Sequence, residues 1–230
     1  MHLYQHMTKK ESIQQLVTQQ GILPLYYNDS SEISIAVLKA LFDAGIRAVE
    51  YTNRGDNALG NFKLLIEAID KDMPGMQLGI GTIKTTASAK AFIDAGAAFV
   101  VCPLIDPAVG AVVRDAGLAW MPGCMTTTEI HAAEVNGATL VKIFPGSVVG
   151  PGYISAISEI FPNLSFMPTG GVDTTAENLL AWFKNGVCAV GLGSKLITKK
   201  LMEEKDFAEL TSQTANVLQL VKNIKDQQRK

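Results

Sequence analysis

Histidine and cysteine are scarce, with three of each among 230 residues, and that scarcity removes several chemistries. Cys102, Cys124 and Cys188 are odd in number and far apart, which fits neither a disulfide framework nor a CxxC metal or redox site. They read as reduced thiols of the core. His2 and His6 stand four residues apart in a polar start, and His131 is alone in a predicted helix, so exposed helical histidines are expected and no metal site is. No apolar run approaches the roughly eighteen residues of a membrane span, and no charged-then-apolar leader opens the chain. The expectation is a cytoplasmic protein with no membrane partner. A basic excess is missing too: 20 Lys and Arg against 22 Asp and Glu give a formal net charge of −2, so nothing favours nucleic acid as a partner. What is present is a chain 47% hydrophobic and 18% charged, enough to bury a large core within the usual size of one α/β domain.

Five segments repeat one physical pattern: "FDAGIRAVEYT" from Phe42, "IDAGAAFVVCP" from Ile93, "RDAGLAWMPG" from Arg114, "EVNGATLVKIF" from Glu134 and "FKNGVCAVGLG" from Phe183. In each, a helical pattern meets a glycine able to take a left-handed C-cap, and an apolar β-type run follows. The glycines are Gly45, Gly96, Gly117, Gly137 and Gly186, spaced by 51, 21, 20 and 49 residues. If a βα unit takes roughly 20–25 residues, each long gap conceals another unit. "MPGMQLGIGT" at Met73–Thr82 and "FPNLSFMPTGG" at Phe161–Gly171 supply the two missing strands, and "GILPLYY" at Gly21–Tyr27 comes before them all.

Helices are predicted between these strands over Ser31–Ala44, Asn57–Lys71, Thr86–Ala95, Pro107–Ala116, Thr126–Asn136, Gly152–Ile160 and Thr174–Lys184. Eight alternating units imply a parallel sheet covered by helices, and a (β/α)8 TIM barrel over about 21–197 is the expected fold, with a doubly wound open sheet as the alternative. Two helices fall outside the barrel: Thr8–Gln20, placed to plug its N-terminal mouth, and Asp206–Ile224, followed by a polar tail. All 230 residues are expected to form one domain.

Strand alternation selects residues for the interior. In the sixth strand Leu140, Lys142 and Phe144 share a face, with Val141 and Ile143 opposite; in the second, Ala48, Glu50, Thr52 and Arg54 share a face, with Val49 and Tyr51 opposite. Lys142 and Glu50 therefore compete for one interior. They could form an ion pair that only satisfies itself, a weak stabiliser once desolvation is counted. A lone amine and a lone carboxylate in an apolar cavity also meet the needs of imine chemistry, a nucleophile that can shed its proton and a group that shuttles protons. After strands seven and eight, "PTGGV" and "VGLGSKL" offer the N–H groups of Gly170, Gly171, Gly193 and Ser194 to a phosphate, unless these are ordinary turn glycines. Thr82 and Arg54 stand at strand ends where they could share an anion.

Taken in order, "ILP", "VEYTNR", "GIGT", "CP" at Cys102–Pro103, "MPG" with "TTTE", "VKIFP", "PTGGV" and "GLGS" make the chain resemble the class I aldolases that cleave 2-keto-3-deoxy-6-phosphogluconate and 4-hydroxy-2-oxoglutarate. The resemblance covers roughly Ile22 to Leu196. It implies Lys142 as the Schiff-base lysine, Glu50 as the proton shuttle and Arg54 on the substrate carboxylate, with Thr82 and Pro103 lining the pyruvate pocket and Phe144 near the imine. It implies a phosphate site at Gly170, Gly171, Gly193 and Ser194, a small keto-acid substrate, no cofactor and a homotrimer. Three segments depart from the family's usual pattern: Tyr27 replaces an arginine that often contacts substrate, Leu104 replaces the glycine of S-P-G, and "KIFPG" replaces K-F-F-P-A.

These readings converge on retro-aldol cleavage of a 2-keto-3-deoxy-6-phospho sugar acid to pyruvate and an aldehyde. The alternatives are cleavage of the galactonate epimer or another 2-keto-3-deoxy acid, a phosphosugar epimerase or decarboxylase that needs no imine, and a noncatalytic phosphosugar sensor. An iminium supplies the electron sink that a metal would otherwise provide. EDTA treatment should therefore leave pyruvate release intact, and a loss restored by a divalent ion would indicate a metal-dependent aldolase.

Overall fold

In a computed structural model of the protein, which describes residues 8–228, all five joint glycines take positive φ: 103° at Gly45, 99° at Gly96, 69° at Gly117, 81° at Gly137 and 94° at Gly186. A Cβ is penalised in that conformation, so residue type alone marks where each helix stops and a strand begins. The strands are β1 (Ile22–Tyr26), β2 (Ala48–Thr52), β3 (Gln77–Gly81), β4 (Phe99–Val101), β5 (Ala119–Met121), β6 (Gly123–Cys124), β7 (Leu140–Ile143), β8 (Ser165–Pro168) and β9 (Val190–Leu192). They pair in parallel, one sheet in the order β5-β4-β3-β2-β1-β9 and the other β6-β7-β8. Parallel neighbours need a crossover, and helices provide it.

The helices are α1 (Lys9–Gln20), α2 (Ser31–Asp43), α3 (Ala58–Asp72), α4 (Thr86–Asp94), α5 (Pro107–Asp115), α6 (Thr127–Val135), α7 (Gly146–Val149), α8 (Pro151–Ser158), α9 (Ala176–Lys184), α10 (Lys199–Glu203) and α11 (Phe207–Gln228). The seven expected crossovers are α2 to α6, α8 and α9. Thr8 caps α1 in a capping box with Glu11, and Thr126 caps α6 likewise with Glu129. Three features depart from the sequence reading. The fifth strand is divided by Pro122, which has no N–H for a ladder, leaving β5 paired with β4 and β6 paired with β7. The short helices α7 and α10 carry too few residues to show a period. The last helix continues beyond Ile224 to Gln228, because the polar "KDQQ" run has good helix formers and no breaker.

The two sheets approach each other at both margins. Pro122 joins β5 to β6, and at the far side Thr169 and Gly191 form a parallel bridge while Cys188 N–H donates to the Phe166 carbonyl at 3.0 Å. Alternation divides the core in two. Leu23, Ala48, Phe99, Val101, Ala119, Met121, Leu140, Met167 and Ala189 make one cluster, sealed by Ile13 and Val17 of α1. Val49, Tyr51, Val141 and Ile143 belong to the second, against the helices. Tyr51 is fixed on that outer side by its hydroxyl, which donates to the Asn28 carbonyl at 2.9 Å.

Gln20, the last residue of α1, clamps two strands. Its Nε2 donates to the carbonyls of Ile22 at 2.6 Å and Ala48 at 2.9 Å, while Oε1 accepts from the N–H groups of Arg47 at 2.7 Å and Ala48 at 3.0 Å. Removing the amide takes this side-chain partner from four partly buried backbone groups at once. Gln20→Ala should cost about 1–3 kcal/mol, measured as a lower urea midpoint with unchanged m-value.

Candidate active site

Glu50 follows Ala48 on the inner face of β2, and Lys142 follows Leu140 on the inner face of β7, so the two meet one layer nearer the strand C-termini. Lys142 Nζ lies 3.7 Å from Glu50 Oε1, and the two residues are 4% and 1% exposed. That separation exceeds an N–H···O hydrogen bond, and neither carboxylate oxygen accepts a hydrogen bond from the protein. A pair kept only for stability would have those oxygens satisfied, since burying them otherwise costs free energy. Here the capacity to accept is left open beside an amine.

Glycine creates the space. A Cβ on Gly81 would fall 1.8 Å from Glu50 Oε1, so only glycine at the end of β3 admits the carboxylate in this position. The ring of Phe144 stands 5.2 Å from Lys142 Nζ, on the side facing the loops. Phe144 also lines a cavity of about 230 Å³ with Arg54, Thr169, Gly170, Gly171, Gly193, Ser194 and Lys195. The buried pair and the cavity thus adjoin across one aromatic side chain. A larger hollow of about 490 Å³ between α1, the end of α2 and α11 contains none of the residues at the strand C-termini.

The structure therefore brings the sequence-selected residues together in two groups. Lys142, Glu50 and Phe144 form the first. Arg54, Phe144, Gly170, Gly171, Gly193 and Ser194 form the second, with Gly170 and Gly171 at φ 83° and 77°. Thr82 and Pro103 do not line the cavity. Thr82 directly follows Gly81 and holds φ 60°, an uncommon conformation for a β-branched residue and a mark of local strain. Pro103 lies under Gly123, where a Cβ would fall 2.4 Å from the Pro103 carbonyl carbon, and Gly123 is the register partner of Lys142.

Sequence reasoning passed over five residues of the cavity, Val172 and Gly191 within the quoted loop motifs and three others. Leu25 shares the inward face of Leu23 and was readable by alternation. Thr169, within the quoted "PTGGV", is 5% exposed with no partner for its hydroxyl. Lys195 pairs with Asp173 at 3.3 Å, a contact between two loops that no local pattern encodes. Burial pushes the other way, yet Lys195 and the N–H groups of Thr174 and Thr175 hold the Asp173 carboxyl below its ordinary range. Of the departures, Tyr27 leaves the cavity: its hydroxyl donates to Asp29, its ring leans on Tyr51 at 5.6 Å, and it occupies the space a Gly55 side chain would need. Burial first, then Asp29, push the Tyr27 hydroxyl up to about 12. Leu104 is exposed beyond β4.

His131 is exposed on α6 beside Glu134 at 3.8 Å, while His2 and His6 lie outside the described residues. Among the described residues no group of three or more His, Cys, Asp or Glu could hold a metal ion.

Comparison with known proteins adds relatives to this geometry. The profile of the family described as "Aldolase: KDPG and KHG aldolase" matches residues 13–213. The probable 2-dehydro-3-deoxy-6-phosphogalactonate aldolase of Rhizobium meliloti (strain 1021) is 35% identical over 161 residues, covering 70% of this chain and 74% of its own. The 2-dehydro-3-deoxy-phosphogluconate aldolase of Treponema pallidum (strain Nichols) is 31% identical over 202 residues, covering 87% and 93%. A solved structure of the 4-hydroxy-2-oxoglutarate aldolase/2-deydro-3-deoxyphosphogluconate aldolase from TTHB1 has a TM-score of 0.79 at 28% identity, across 94% of this chain and 100% of that one. All three are named as aldolases, which gives no support to the epimerase, decarboxylase or sensor alternatives.

The thiols near the site provide a test without substrate. Burial pushes Cys102 and Cys124 up to about 12 from an ordinary 9.0. Both should resist iodoacetamide at about pH 8 until the chain unfolds. Between 9.0 and about 12 the unfolded chain binds fewer protons than the folded one, so stability is full below that window and falls as pH rises through it. Urea midpoints taken at about pH 8 and about pH 10 should show the fall, smaller in Cys102→Ala.

Proposed function

The chain belongs to the KDPG and KHG aldolase family and is an aldolase, a carbon–carbon lyase, and from that premise we propose that it cleaves 2-dehydro-3-deoxy-6-phosphogluconate to pyruvate and glyceraldehyde 3-phosphate through an imine on Lys142. Cleavage of 4-hydroxy-2-oxoglutarate to pyruvate and glyoxylate is the second activity of the same site. One observation carries this reading: a buried amine 3.7 Å from a carboxylate whose two oxygens have no protein donor.

The unprotonated Lys142 amine attacks the C2 ketone, and loss of water gives a protonated imine. Glu50, directly or through water, removes the proton of the C4 hydroxyl. The C3–C4 bond breaks, its electrons pass into the iminium to give the enamine of pyruvate, and the aldehyde departs. Protonation of the enamine at C3 and hydrolysis of the imine release pyruvate and restore the amine. Arg54 and Thr82 hold the substrate carboxylate, Pro103 and Phe144 wall the reacting carbons, and Gly170, Gly171, Gly193 and Ser194 hold the terminal phosphate. Fixing both ends supplies the orientation that a flexible open-chain substrate lacks.

The framework of this proposal is one (β/α)8 barrel in a single domain, a reading supported by the single proline between β5 and β6 and by the Thr169–Gly191 bridge between the margins of the two sheets. The homotrimer and the cytoplasmic setting belong to it as well. No helix among the described residues is long and apolar enough to cross a membrane. The galactonate epimer named for the Rhizobium relative differs at C4, the carbon whose hydroxyl Glu50 deprotonates, so both epimers belong in the assay.

Borohydride reduction with pyruvate should add a stable adduct at Lys142, located by peptide mass spectrometry, and no adduct there would end the imine proposal. Glu50→Gln should lower kcat by about 10²–10⁴-fold while pyruvate is still trapped. Normal turnover in that variant would remove Glu50 from proton transfer.

A further inference from the structure

The cavity beside Phe144 has a second cation besides Arg54, and that cation already holds an anion. Lys195 follows Ser194 in the last glycine loop, and its Nζ lies 3.3 Å from Asp173 Oδ2, two residues beyond Gly171 in the other loop. The Asp173 carboxylate does not depend on this contact. Its other oxygen, Oδ1, accepts from the N–H groups of Thr174 at 2.6 Å and Thr175 at 3.3 Å. Both side chains reach solvent, 64% for Lys195 and 33% for Asp173, so their ion pair is of the exposed, weakly stabilising kind.

We infer that Lys195 is an exchangeable phosphate clamp, trading Asp173 Oδ2 for the terminal phosphate of the substrate, and that the pair sets how strongly phosphorylated substrates are preferred. The inference rests on the aldolase reading and its phosphate site. Three physical points carry it. A lysine is a mobile point charge on a flexible stem, suited to changing partners, unlike a fixed bidentate guanidinium. Its departure leaves no buried orphan, because the backbone donors on Oδ1 remain. A phosphate offers the ammonium more negative charge than a carboxylate, while Asp173 at the cavity's margin repels the same phosphate. Lys195 therefore raises affinity for a phosphorylated end, and Asp173 lowers it.

The test is the ratio of kcat/KM for 2-keto-3-deoxygluconate 6-phosphate to that for its unphosphorylated counterpart. Lys195→Met, which keeps the stem, should lower the ratio about tenfold through KM rather than kcat. Lys195→Arg should retain most of it, and Asp173→Asn should raise it. An unchanged ratio in Lys195→Met, or a fall in Asp173→Asn, overturns the inference. A second readout uses inorganic phosphate alone, by calorimetry: weaker binding in Lys195→Met and tighter binding in Asp173→Asn are expected, and equal affinity in all three proteins overturns it. Pyruvate trapping at Lys142 does not involve the phosphate site, so its failure would count against the aldolase reading without touching the phosphate result.

Discussion

Register is the constraint on which the site depends. Slipping β2 or β7 by one residue would turn Glu50 or Lys142 out of the interior and into the helix layer. The ladder sets Glu50 opposite Leu25 and Gly79, and Lys142 opposite Gly123 and Met167. Devices outside the site hold that register. Gly45 and Gly137 fix where β2 and β7 start, Gln20 grips the backbone at Arg47 and Ala48, and Tyr51 is tied to Asn28 on the outer side. Each acts on a neighbour of Glu50 or Lys142 rather than on the pair.

The two parts of the site differ in dielectric setting. The Lys142–Glu50 pair is almost sealed, so the charges that change hands there are felt at close range. The glycine-lined cavity is more open, and its cations Arg54 and Lys195 are exposed. Phe144 stands between them and touches both. In the mechanism proposed above, bond cleavage would fall to the sealed pair, and binding of the substrate's charged groups to the more open cavity.

Much of this was legible in the sequence because it is encoded locally. A glycine after a helical run reports a left-handed cap, and a period of two reports which side chains share a face; together they placed the strands and chose Glu50 and Lys142. Pro122 was visible, but its division of one strand between two sheets depends on partners distant in the chain. The loops hid more. Thr169 and the Lys195–Asp173 contact are made by segments more than twenty residues apart with no periodicity to read, and the positive φ of Thr82 runs against the preference of its own side chain. Tyr27, which the resemblance sets in the place of an arginine that often contacts substrate, turns toward Asp29 and Tyr51, a direction its strand-end position does not reveal.

The plug formed by α1 also bears on the order of assembly. Ile13 and Val17 share one buried cluster with Leu140, Met167 and Ala189, residues more than a hundred positions further along the chain. A helix of 12 residues has marginal stability alone, so its helicity depends on the strands that cover its apolar stripe. Docking of α1 thereby ties a segment on the N-terminal side of β1 to strands far along the chain, so the sealing of the inner core is a long-range event in sequence.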